Sequence, residues 1–356
     1  MSIRSWVAWP GAPLAIGSAA LFGASTPLAK ALLGEGISPW LLAGLLYLGS
    51  GIGLALVVVT RRLLGRSSGE APLGSGDWKW IFLIVLSGGI AGPLLLMLGL
   101  VSTPASSAAL LLNLEGLATM AIAWAVFREN VDRRLLFGAL AILSGALLLS
   151  WQGSGDGFGI GAVAIAGACI AWGIDNNLTR KVSGSDPMQI AMLKGLVAGS
   201  VNLGLALFWG AQLPEAVLLF SAGVMGFLGY GVSLVLFVLG LRYLGTARTG
   251  AYFSMAPFMG AFLSLPMFGE PVTVRLVIAA VLIGIGLWLH LVERHDHEHV
   301  HEPLEHMHAH IHDEHHQNAH GADDPSGEPH VHAHEHRRMA HGHPHYPDLH
   351  HRHRHG

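Results

Sequence analysis

The sequence predicts an all-α integral membrane protein of ten transmembrane helices, built as two inverted five-helix repeats and followed by a disordered His-rich tail. Three observations carry this prediction. Apolar runs of spanning length recur through the first 292 residues, the two halves of that region resemble each other at a fixed offset, and all 23 histidines fall at or after His290. Charge divides at the same place: residues 1–292 carry 15 Lys and Arg against 11 Asp and Glu, whereas 293–356 carry 5 against 12. The expected organisation is an N-terminal segment 1–13, a first five-helix unit 14–151, a second 152–292 and a tail 293–356.

A helix needs about 20 apolar residues to cross a hydrocarbon core ~30 Å thick, and ten stretches meet that need. Span one, 14–33, also reads as a signal peptide after Arg4, until its counterpart in the second half makes it part of the fold. Span two, 37–60, stops at Arg61-Arg62, and span three, 79–100, contains Gly88-Gly89 and Gly92-Pro93. Span four, 104–127, ends in Phe127-Arg128-Glu129 and is followed by span five, 134–151. Span six, 158–179, carries Trp172-Gly173 and stops at Arg180-Lys181; span seven is 188–210 and span eight 215–241. Span nine, 246–268, contains Pro257 and Pro266, and span ten is 272–292. Interior Gly and Pro suit membrane helices, where neighbours satisfy the freed backbone groups.

Orientation follows from Lys and Arg in short loops, which are retained in the cytosol. A cytosolic N-terminus places Arg61, Arg62, Arg66, Lys79, Arg128, Arg133, Arg134, Arg180, Lys181, Arg242 and Arg248 on that side and leaves Lys30 and Arg275 near the exterior. Ten spans return the chain to the cytosol, which puts the tail there, in a bacterial-type inner membrane.

At an offset of 141, Leu98-Gly99-Leu100 aligns with Leu239-Gly240-Leu241, and Phe127, Glu129, Val131, Arg134 and Leu135 align with Phe268, Glu270, Val272, Arg275 and Leu276. Twelve of the 51 positions from 98 to 148 are identical, charged span ends among them, which marks a duplication. At an offset of 150, Phe22-Gly23 aligns with Trp172-Gly173 and Lys30 with Arg180. Five helices per unit make the second copy enter from the opposite side, as in secondary transporters whose substrate sites lie between inverted repeats.

The Phe-x-Glu ends of spans four and nine, the Gly-Leu pairs after spans three and eight and the Trp-Gly stretch of span six resemble the EamA-type family of the drug/metabolite transporter superfamily, over about residues 14–292. That resemblance implies a basket-like bundle, spans one to four and six to nine around a central cavity with five and ten outside. It also implies export of small organic metabolites or drugs, often by proton exchange. The His-rich tail departs from the family's pattern.

Ionisable groups inside a span are costly and therefore candidate functional groups. Glu115 lies about 11 residues into span four, roughly 17 Å deep and near the midplane; Asn113 and Thr119 are its polar neighbours. It reads either as a carboxyl hydrogen-bonded within the bundle or as a proton- or cation-coupling group. Asp175, Asn176 and Asn177 form the most polar stretch in any span. Lys194 in span seven falls at a depth similar to Asp175, so the two are expected to pair, as a structural contact or as part of a gate or substrate site. Ser25 and Thr26 occupy the equivalent place in the first half. Lys30 is expected to snorkel to the interface. Glu129 and Glu270 read as helix-end carboxylates near Arg133 and Arg275.

The tail offers imidazoles at His295, His297, His299, His301, His306, His308, His310, His312, His315, His316, His330, His332, His334 and His336. Low apolar content argues against a core there. Imidazole suits Zn, Ni, Co and Cu(II), and irregular spacing makes a multi-ion buffer rather than one tetrahedral site. No required cofactor is implied. Cys169 stands alone, so it has no disulfide partner in the chain. The sequence lacks a P-loop and a dinucleotide fingerprint, so no enzyme activity is expected. The expected partners are a small-molecule or ion substrate and the lipid bilayer, with no nucleic acid; a homodimer is compatible with the sequence. Three functions stay open: a proton-coupled exporter of an organic solute, an exporter of a divalent metal (Ni, Co or Zn) or its complex, and a membrane-anchored metal buffer or sensor.

Overall fold

The computed structural model describes residues 11–65, 73–127, 133–151, 159–179, 181–182, 185–237, 239–240, 249 and 252–291, and the backbone of four stretches between 295 and 345. Helices occupy all ten apolar stretches: α1 (Gly11–Gly34), α2 (Pro39–Leu63), α3 (Ser75–Ser102), α4 (Ala105–Val126), α5 (Arg133–Ser150), α6 (Ile160–Thr179), α7 (Pro187–Phe208), α8 (Ala216–Phe237), α9 (Ala256–Phe268) and α10 (Val274–Leu291). Seven of them, α1 to α5, α7 and α8, are long and apolar enough to cross a membrane. The remaining three depart for separate reasons. Asp175, Asn176 and Asn177 make the end of α6 polar, α9 is described over 13 residues, since most of 246–251 lies outside the described residues, and α10 falls at the short end of spanning length.

Local chemistry explains the helix ends. Ser38 caps α2, its hydroxyl accepting from Leu41 N at 3.3 Å, and Asp186 caps α7, accepting from Met188 N at 2.8 Å. Each cap is followed by proline at the first helical position, where the missing N–H costs nothing. The interior is unlike that of a soluble bundle. Large apolar side chains such as Leu56, Phe220 and Phe262 point outward, while Ser18, Asp175, Asn202 and Ser233 are buried. Ser18 and Ser233 join α1 to α8 through reciprocal bonds from each hydroxyl to the other's carbonyl, at 2.7 and 3.0 Å.

Three spans carry a local irregularity. Span four breaks into Ala105–Leu111 and Leu114–Phe127, with the Asn113 amide turned back onto Leu110 O at 2.9 Å. Spans three and eight each contain a π-helical stretch, Val85–Ala91 and Phe227–Val232, where paired glycines loosen the turn. The carbonyls released in α3 are taken up from neighbouring helices. Gly88 O accepts from Tyr47 Oη at 2.8 Å and Trp172 Nε1 at 3.0 Å, and Gly89 O accepts from Asn202 Nδ2 at 3.2 Å.

Helix pairing is dominated by α2 against α7 and α5 against α10, with α6 on α3 and α4, and α1 on α8 and α9. Small residues permit these contacts. A Cβ on Gly195 would stand 2.6 Å from Gly51 N, and one on Gly138 would stand 2.8 Å from Gly286 O.

Strands β1 (His295–His301) and β4 (Met339–His345) pair antiparallel, as do β2 (Leu304–His310) and β3 (His330–His336). Low apolar content excludes a packed core but not strand pairing. Histidine recurs at every second position in these stretches, and an extended ladder has the same period. Side chains of the tail histidines, and all of His312, His315 and His316, lie outside the described residues.

Candidate functional site

Close packing of α6 on α4 sets the site. A Cβ at Gly173 would lie 2.9 Å from Thr119 N, so only glycine lets the two backbones approach this closely. That approach brings the polar end of α6 against Glu115 and Thr119. Asn176 Nδ2 donates to Glu115 Oε1 at 2.9 Å and lies 3.2 Å from Thr119 Oγ1. Asn177 Nδ2 bridges the helices, donating to Thr119 O at 3.0 Å and Gly173 O at 2.8 Å. Its Oδ1 is buried without a protein partner. Thr119 Oγ1 returns to Glu115 O at 2.9 Å.

Next to this network, Lys194 of α7 donates to Asp175 in an ion pair. The Asp175 side chain fills the space left by Gly88, and Thr179 Oγ1 stands 3.4 Å from its other oxygen. Lys194 thus answers Asp175. Among the described residues the Asn176 amide is the one hydrogen-bond donor on the Glu115 carboxylate; Asn176 is exposed and Glu115 is half-buried. Two carboxylates share one ammonium, and the uncompensated acid sits at the open end of the network.

An aromatic wall continues from this cluster toward α1 and α8. Tyr47 and Tyr230 have ring centroids 5.5 Å apart, Tyr230 and Phe22 5.9 Å, Phe22 and Phe253 5.4 Å, and Phe253 and Phe237 4.8 Å. The rings thus run on from the polar cluster as a continuous aromatic chain.

The structure therefore brings together Glu115, Thr119, Asp175, Asn176, Asn177 and Lys194. Asn113, two residues before Glu115 in the break of α4, is buried and bonded to Leu110 O. Ser25 and Thr26 are buried on α1. Ser25 Oγ donates to Phe22 O at 2.6 Å, and the side chain faces the π-helical stretch of α8 at Gly229. Neither touches the Glu115 network. Sequence reasoning missed the aromatic wall and the Gly88 and Gly89 carbonyls. Its available signals were the Gly-Gly and Gly-Tyr-Gly steps in spans three and eight.

Two charged residues bind the backbone at the ends of other helices. Lys30 lies near the C-terminal end of α1. Its ammonium donates to Leu100 O, to Thr103 O at 2.9 Å and to Val101 O at 3.3 Å, because the last carbonyls of α3 lack helical partners. Glu270 lies just after α9, at a helix end. It accepts from Ala105 N at 2.7 Å, Ser106 N at 3.1 Å and Ser106 Oγ, capping α4, while Arg275 Nη1 donates to Trp151 O at 2.5 Å. Glu129 lies outside the described residues.

Comparison with known proteins follows the same outline. The family model for EamA-like transporters matches residues 9–151 and 159–292. An uncharacterized transporter of Methanothermobacter thermautotrophicus is 27% identical over 284 residues, covering 75% of this chain and 82% of its own. A "Probable amino-acid metabolite efflux pump" of Salmonella typhimurium is 27% identical over 206 residues, 53% of this chain and 68% of that protein. A "Probable 4-amino-4-deoxy-L-arabinose-phosphoundecaprenol flippase subunit ArnE" of Pseudomonas paraeruginosa is 39% identical over 113 residues, 32% of this chain and 95% of that protein. One crystal structure shares the fold with a TM-score of 0.58 at 19% identity, covering 78% of this chain and 95% of its own.

Proposed function

The chain belongs to the EamA-like transporter family of multi-pass membrane proteins, and from that premise we propose that it is a proton-coupled exporter of a small organic metabolite or drug. In this reading Glu115 carries the proton. The observation that carries the proposal is the charge balance of the site: among the described residues Lys194 pairs directly with Asp175, while the direct partner of the Glu115 carboxylate is the Asn176 amide. A carboxylate left over in a low-dielectric span needs one positive charge, and either a proton or a cationic group of the solute supplies it. Loading one expels the other, which couples their movement.

Packing supports an inverted-repeat reading. α2 and α5 lie against their own counterparts α7 and α10, the contact of α6 with α4 is matched by that of α1 with α9, and the π-helical stretches recur in α3 and α8. In that plan Glu115 has Ala256 as its counterpart, so the acid breaks the symmetry, as a group held for function rather than for fold does. The names of two relatives, an efflux pump for amino-acid metabolites and a subunit of a lipid-linked sugar flippase, favour organic cargo.

The metal reading draws on the tail. A bare-ion pathway in the membrane part would have to be built from Glu115, Asp175 and amides, since no group of three His, Cys, Asp or Glu converges among the described residues. On the organic reading the tail is a cytosolic metal-binding accessory for Zn, Ni, Co or Cu. A tolerance screen against organic solutes and metals separates these readings, comparing a deletion strain with strains carrying the full chain or a chain truncated after Glu293. Organic protection that survives truncation supports the proposal. Metal protection alone, lost on truncation, overturns it.

A further inference from the structure

The strongest feature outside the Glu115 network is the two-residue link between α3 and α4, Thr103-Pro104, which two side chains distant in sequence grip at both ends. Lys30 of α1 holds the terminal carbonyls of α3, those of Leu100, Val101 and Thr103. Glu270, just after α9, holds the first amides of α4 at Ala105 and Ser106 together with the Ser106 hydroxyl. Helix caps normally come from residues adjacent in sequence to the end they cap. Here they come from 70 and 164 residues away. Each is also matched to its helix end, the cation on exposed carbonyls and the carboxylate on exposed amides, the arrangement the helix dipole favours.

We propose that Lys30 and Glu270 form a two-ended clamp that closes the exterior mouth of the transport path. They act as positioning residues that govern when Glu115 can be reached from that side. The clamp rests on the transporter reading and on the orientation read from loop charges. α1 and α9 are in backbone contact, since a Cβ at Gly23 would lie 3.2 Å from Gly260 N, and one at Gly260 would lie 3.2 Å from Ala109 Cβ of α4. The four helices α1, α3, α4 and α9 thus meet at one end of the bundle. A passage between the α1/α9 pair and the α3/α4 link cannot open there while both grips hold. Ten residues of α4, about 15 Å at ~1.5 Å per residue, separate the clamped end from Glu115, so the clamp acts on access and not on the proton-carrying group itself. The repeat supplies the same charge types at the other end of the membrane, Arg180 for Lys30 and Glu129 for Glu270. An alternating device needs such a copy, and a static cap does not.

Accessibility tests this without knowledge of the solute. In full-length chain carrying C169A, which removes the only native thiol, S25C places a reporter five residues inward of Lys30 at a buried position of α1. Proteoliposomes of known orientation are treated with a membrane-impermeant sulfonated methanethiosulfonate from one side at a time. Glu270→Gln and Lys30→Met should each raise the exterior modification rate at least tenfold without raising the interior rate, and Lys30→Arg should leave it at the starting value. In a second arm, a short bis-methanethiosulfonate bridge between S106C and E270C, made before S25C labelling in otherwise unaltered protein, should hold the exterior rate at its floor until dithiothreitol releases it. An unchanged exterior rate in both monodisperse charge variants overturns the clamp, as does an equal rise from both sides or a bridge without effect. Loss of proton coupling in Glu115→Gln is a separate readout, so the clamp can fail while the transporter reading stands.

Discussion

Asp175→Asn is the sharpest perturbation of the site. It removes a charge and almost no volume. The side chains of Asp175 and Lys194 are only 6% and 18% exposed, so the ammonium left behind faces an amide in low dielectric with little water to help it. Removing one partner of a buried pair costs about 3–5 kcal/mol, and the residual exposure of Lys194 places this case at the low end, about 3 kcal/mol. At about 2 °C per kcal/mol for a chain of this size, the midpoint should fall by ~6 °C. Thermal unfolding in detergent, followed by fluorescence-detected size exclusion, reads this directly. Adding Lys194→Met removes the stranded charge and should return at least half of the loss. A single-variant drop under ~2 °C, or a double variant less stable than both singles, would refute a charge pair held by mutual compensation.

Gly173→Val should separate α4 from α6, since its added carbon meets Thr119 N at 2.9 Å; transport should vanish and thermal stability should fall by an amount within the ~1–3 kcal/mol typical of overpacking, and full activity would contradict the close approach. The tail should bind several Zn or Ni ions per chain, with affinity dropping steeply below about pH 6, where protons compete for imidazole; calorimetry at pH 7.5 and 5.5 that gives equal affinity would remove histidine as the ligand. Reporter fusions after Gly65, Val131 and Ser183 should read cytosol and those after Gly155 and Leu213 exterior, and an exterior signal at the C-terminus would reverse the tail's placement.

Much of the fold was legible because membrane helices announce themselves through length and hydropathy. The pairing of Asp175 with Lys194 was legible for a related reason: rise per residue fixes depth, and two opposite charges at one depth on consecutive helices have few other partners. Thr119 was legible as the residue one turn from Glu115. Backbone acceptors were not. Which carbonyls Lys30 would meet, or which amides Glu270 would cap, depends on how α1 and α9 sit beside the α3/α4 link, and a helical pattern carries no register between distant helices. The π-helical stretches were hidden for the same reason, since Gly88-Gly89 permits a widened turn but Tyr47, Trp172 and Asn202 must arrive from three other helices to satisfy it.

The central claim is that Glu115 exchanges a proton for solute, and solute-driven proton flux tests it most directly. Full-length chain and Glu115→Gln are reconstituted into liposomes loaded with a pH-sensitive dye and challenged with a panel of amino acids, amine metabolites and cationic drugs. The account predicts that at least one solute moves protons in the opposite direction through the unaltered chain and that the Gln variant, equally folded, moves none. Solute uptake in Glu115→Gln at the unaltered rate, with the same dependence on pH, would contradict it.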